Sequence, residues 1–103
     1  MKNLFKADSP VAPVVNREAL EILEKGLIDF DRQEWEKAKV KFKSAIALEP
    51  EYAVAYFYLG SVLFEQELLT EAITAFEKAL AIDQTNDELR ELVSSIRELV
   101  ELP

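Results

Sequence analysis

The chain has 103 residues, half of them hydrophobic, with 12 lysines and arginines against 20 aspartates and glutamates, a net charge of −8. That size fits one small domain, and that charge makes free nucleic acid and anionic membrane surfaces poor partners. With neither histidine nor cysteine, imidazole acid–base pairs, catalytic triads, thiol nucleophiles and disulfides are excluded. Residues 1–16, MKNLFKADSPVAPVVN, open the chain as an arm. Pro10 and Pro13 keep it out of a helix interior, yet Leu4, Phe5, Val11, Val14 and Val15 are too apolar for a solvated tail. Two readings follow: an arm packed on the surface, or an extended ligand in this protein's own groove or a neighbour's. The arm has no signal-peptide core, and no apolar run reaches membrane-spanning length, so a cytoplasmic protein is expected.

Five helices are predicted next. The first covers 17–31, capped by Asn16 with Glu18 in its opening turn. The second covers 34–48 and stops before Pro50, the third 51–67 and the fourth 70–82. Thr85 and Glu88 are spaced as a capping box for a fifth helix over 86–101. Its apolar stripe is Leu89, Leu92, Val93, Ile96, Leu99 and Val100.

A 34-residue period runs through these helices. Residues 19–52 align without a gap on 53–86, with identical pairs Ala19/Ala53, Gly26/Gly60, Phe30/Phe64, Ala38/Ala72, Phe42/Phe76, Ala45/Ala79 and Ala47/Ala81. Small residues let two helices approach, and a recurring Phe fills the gap between them. A fixed period of this kind marks a repeat architecture.

In Leu59-Gly60, Ala72, Phe76, Ala79 and Leu80, and earlier in Gly26, Ala38, Phe42, Ala45 and Pro50, the chain resembles the tetratricopeptide repeat family. It departs from that pattern at Lys25, Asp29 and Gln84. The resemblance implies an all-α superhelix: two helix–turn–helix repeats plus a C-terminal capping helix, occupying 17–103. It also implies a scaffold that binds other proteins and has no catalytic role.

Both ends of the stack read as finished. Ala55, Leu59 and Leu63 form an apolar docking row on the third helix, whereas the equivalent row on the first is Glu21, Lys25 and Asp29. Those charges are spaced to pair along the helix and costly to cover. On the fifth helix Leu89 and Val93 face back into the stack, while Arg90, Ser94 and Glu98 face outward, as a solvated end requires.

Reactive chemistry is sparse. Gly26 and Gly60 are isolated within helices rather than part of a phosphate loop, and carboxylates alone make a zinc site improbable, so neither cofactor nor metal is expected. Lys37, Lys39, Lys41 and Lys43 read as a solvated outer face of the second helix. Trp35, at the turn between the first two helices, reads as a structural plug, and Tyr52, Tyr56 and Tyr58 as packing at the junction between units.

The resemblance also implies a concave surface lined by the first helix of each unit. On this chain the lining is Leu20, Leu23, Leu27, Phe30 and Asp31, then Val54, Phe57, Ser61, Phe64 and Glu65. The fifth helix adds Glu88, Glu91, Ser95 and Glu98. Leu23, Leu27 and Phe57, if exposed together, would make an apolar patch of the kind that marks an interaction site. The expected partner is a protein or peptide segment with apolar anchors and Lys or Arg, not nucleic acid and not a membrane. Chaperone C-termini held through their carboxylate are not expected, because Leu23, Leu27, Tyr58, Glu88 and Leu92 stand where related proteins place cations and Asn. The alternatives are a self-associating assembly factor, a homodimer with its groove filled by the arm, or a small chaperone of similar fold. From another class, a carboxylate-dependent enzyme remains.

Overall fold

A computed structural model describes residues 16–102 and shows five helices: α1 (Arg17–Asp31), α2 (Trp35–Leu48), α3 (Ala53–Glu65), α4 (Leu69–Ile82) and α5 (Asp87–Glu101). Among the described residues there is no strand, and no helix is long and apolar enough to cross a membrane. Expectations for the arm over residues 1–15 fall outside the described residues.

Each helix packs on its neighbours in sequence, α1 on α2, α2 on α3, α3 on α4 and α4 on α5. The fold is thus an all-α stack of two helical hairpins and a fifth helix. The recurring columns explain how each hairpin closes. A Cβ on Gly26 would lie 2.7 Å from the Phe42 ring, and one on Gly60 2.7 Å from the Phe76 ring. Only a residue without a side chain lets the aromatic ring lie against the helix backbone there. Both rings are buried, as are Ala38, Ala45, Ala72 and Ala79.

The tight turn inside each hairpin also repeats. Gln33 and Glu67 adopt left-handed backbone, φ 60° and 63°. After α1 the Gln33 amide donates to the Phe30 carbonyl and the Glu34 amide to the Asp29 carbonyl, each at 2.9 Å. After α3 the Glu67 amide donates to Phe64 and the Leu68 amide to Leu63, again at 2.9 Å. This is the Schellman arrangement, which satisfies helix-end carbonyls and reverses the chain.

Between the hairpins, α3 is covered from both sides, by α2 and by α4. Phe42 stacks on Tyr58 at 5.9 Å, and Phe57 tilts over Phe76 at 5.7 Å. The docking row Ala55, Leu59 and Leu63 is buried, and so are Leu89 and Val93 of α5.

Several expectations need correction. The third helix begins at Ala53 rather than 51, because the Tyr52 amide turns back to the Glu49 carbonyl, and it ends at Glu65 ahead of the left-handed Glu67. The cap of α5 is Asn86, whose side chain accepts from the Leu89 amide at 3.0 Å. Thr85 does not cap; its hydroxyl donates to the buried Asp83 carboxylate at 2.7 Å. Asn16 does cap α1, accepting from the Ala19 amide at 3.2 Å.

The largest correction concerns charge. Asp29 is not on an outer face: it is buried between α1 and α2 and pairs with Lys41. Lys39 is also turned inward, 2.8 Å from Glu36 and donating at 3.3 Å to Gln66, whose amide donates to Glu36 at 2.7 Å. Half of the lysine run therefore faces neighbouring helices. Successive lysines two apart on a helix fall on opposite flanks, so Lys41 reaches α1 and Lys39 reaches the end of α3.

Candidate interaction surface

The rows expected to line a concave face contain residues of three kinds. On α1, Leu20 is 40% exposed, Leu27 and Phe30 are half-buried and Asp31 is exposed, but Leu23 is buried in the core. On α3, Val54 is half-buried, Phe64 is 38% exposed and Glu65 is exposed. Phe57 is 2% exposed, and Ser61 is buried with its hydroxyl donating at 3.0 Å to the Phe57 carbonyl. On α5, Glu88, Glu91, Ser95 and Glu98 are exposed.

Leu23, Leu27 and Phe57 therefore form no exposed patch together. Phe57 lies edge-on to Tyr58 and against Phe76, so the interior of the second hairpin needs it. Accessible apolar surface on these rows is carried instead by Leu20 and Phe64, with the half-buried Leu27, Phe30 and Val54 beside them.

Three expected residues do converge. Phe30, Asp31 and Glu65 border an open concavity of about 490 Å³, and Gln33 and Trp35 complete its wall. The short Schellman turn places Trp35, the first residue of α2, back against the last turn of α1. Its ring meets Phe30 edge-on at 5.3 Å, and Phe30 in turn meets Tyr58 of α3 edge-on at 6.1 Å. The Tyr58 phenol is pushed up from its usual value, first by burial and then by the nearby Asp31 charge.

Gln33 and Trp35 were not foreseen as lining. Trp35 does plug the hairpin, but it is only half-buried and its remaining surface borders the concavity. The signal lay in the repeat itself, where Trp35 replaces a position occupied by Leu69 one unit later.

Asp31 and Glu65 pair with no cationic side chain among the described residues. The neighbouring carboxylates differ: Asp29 is held by Lys41, Glu34 by Lys37 and Glu36 by Lys39. Among the described residues no three side chains of His, Cys, Asp or Glu converge to hold a metal ion. The surface offers aromatic and aliphatic contact bordered by negative charge, which suits binding.

Comparison with known proteins agrees with the repeat geometry. The family model "Tetratricopeptide repeat" matches residues 23–87. A human protein, "Tetratricopeptide repeat protein 6", is 30% identical over 89 residues, which is 84% of this chain and 17% of that protein. The chain thus spans about a sixth of the length of this relative.

Proposed function

The chain belongs to the tetratricopeptide repeat family, whose repeats generally mediate contact between proteins, and on that premise we propose that it is a non-catalytic interaction module. It binds a protein or peptide segment with apolar anchors and Lys or Arg along the rows of α1, α3 and α5. The observation that carries this reading is the exposure of Leu20 and Phe64 on two successive units, together with that of Glu65 beside Phe64 in sequence and of Glu88 and Glu91 on α5. Apolar side chains in such positions supply most of the binding energy, and the surrounding carboxylates steer a basic partner and set its register.

An array of short peptides alternating Leu or Phe with Lys or Arg, beside matched peptides carrying Asp or Glu, tests the proposal. The chain should retain basic members and ignore acidic ones. The double variant Leu20→Glu, Phe64→Glu should lose that retention while keeping its helical circular dichroism and melting temperature. Equal retention of both classes, or retention indifferent to the double variant, sinks the reading.

A further inference from the structure

We propose that the concavity between the end of α1 and the end of α3 is a subsite for one arginine side chain of the bound segment, with the guanidinium against Trp35 and Phe30 and hydrogen-bonded to Asp31 and Glu65. This rests on the interaction-module reading above and names the chemistry of its basic component.

Three features of the structure lead to it. The first is composition of the wall: two half-buried rings at 5.3 Å, edge to face, next to the exposed carboxylates of Asp31 and Glu65 and the exposed amide of Gln33. A planar cation that stacks on aromatic rings and offers several N–H donors in a fixed fork matches this wall better than a compact ammonium, which is more strongly hydrated. The second is charge. Asp29, Glu34 and Glu36 are occupied by lysines of this chain, whereas Asp31 and Glu65 pair with no cationic side chain among the described residues. The third is that the repeat alone does not generate the site. One unit later the position of Trp35 holds Leu69 and that of Glu65 holds Leu99, so the second unit has neither the indole nor the facing carboxylate. A volume of about 490 Å³ also admits a single long side chain entering from solvent.

Trp35 is the only tryptophan, so its fluorescence and indole N–H resonance report on the subsite directly. The full chain is titrated with N-acetyl-arginine amide, and in parallel with the capped amides of lysine, of citrulline, and of leucine. Capped arginine should shift the Trp35 signal with an affinity about three- to fivefold tighter than capped lysine, and citrulline, which keeps the shape and loses the charge, should leave the signal unmoved. The variant Asp31→Asn, Glu65→Gln changes two exposed side chains and should abolish the arginine response while the melting temperature holds. A Trp35 response to lysine or citrulline equal to that of arginine, or an arginine response that survives the double variant, overturns the subsite. The two proposals fail separately. Apolar–basic peptides that perturb Leu20, Val54 and Phe64 without Trp35 leave the interaction surface standing and remove the arginine subsite. Arginine that moves Trp35 when no peptide touches Leu20 or Phe64 does the reverse.

Discussion

Gln33 and Glu67 stand 34 residues apart in sequence and hold the same left-handed backbone, φ 60° and 63°. Neither is glycine, so each hairpin reverses through a conformation that its own side chain disfavours. A left-handed residue with a Cβ is strained by about 1–2 kcal/mol, part of which glycine gives back through the greater freedom of the unfolded chain. Glu67→Gly should therefore raise the unfolding free energy by about 0.5–1 kcal/mol. A urea titration reads this as a higher midpoint at unchanged slope. Glu67→Val should lower the midpoint, because a β-branched residue tolerates this conformation least.

The opposite demand holds at Gly60. Its Cβ would fall 2.7 Å from the ring of Phe76, which is 2% exposed and cannot swing into solvent. Gly60→Ala should destabilise the chain by about 1–3 kcal/mol, with the better helix propensity of alanine recovering less than about 1 kcal/mol of it. Adding Phe76→Leu to Gly60→Ala should cost less than the two changes summed. Additivity of the two would show that the ring is not what the methyl group meets.

The Asp29–Lys41 pair joins α1 to α2, with Asp29 buried and Lys41 about one third exposed. Lys41→Met leaves a buried carboxylate without its cation, and a loss of about 1–3 kcal/mol is expected. The double change Asp29→Leu, Lys41→Met removes both charges and should recover much of that loss. A thermal melt of the four proteins of this cycle measures the coupling. Zero coupling would mean that solvent already satisfies Asp29.

Tyr52 gives the fold an alkaline limit. It is 4% exposed at the start of α3, and its phenol is pushed up to about 12, first by burial and then by the charge of Glu24. A raised value means that the folded protein keeps the proton that the unfolded chain releases near 10. Stability from this group is complete below about pH 10 and is lost as pH rises from there toward 12. Melting temperature should fall over that window, and Tyr52→Phe should flatten the fall. Tyrosinate absorbance from Tyr52 should appear in the folded protein only as pH approaches about 12.

Much of this architecture was legible in the sequence because the same packing problem is solved twice. A ring lies over a bare backbone at Gly26 and again at Gly60, so those residues recur at a fixed spacing and reveal the unit. Asn16 could be read as a cap because a cap acts on amides two or three residues away. Periodicity likewise placed Phe30 and Phe64 at equivalent positions of the two units. It could not show that Phe57, on the same face as Phe64, lies under Tyr58 and Phe76, because helical spacing gives a direction and says nothing of which helix covers it.

Glu34–Lys37, Glu36–Lys39 and Asp87–Arg90 pair locally, three residues apart, whereas the Asp29–Lys41 pair and the concavity depended on the tertiary structure. Asp29 has Lys25 four residues before it, which suggests a local pair, yet it turns to Lys41 across the hairpin. Asp31 and Glu65 meet at one concavity only because the turn at Gln33 sets Trp35 against Phe30 and the stacking of α3 on α2 brings the next unit alongside. The sequence by itself determined the repeat, its helices and the Asn16 cap, which rest on interactions within one or two turns, while the cap of α5 was read one residue early, at Thr85 instead of Asn86. The closing of α1 on α2 decided that Asp29 is neutralised by Lys41, and the stacking of α3 on α2 that Asp31 and Glu65 border one concavity, since attraction between charges depends on their separation in space and not along the chain.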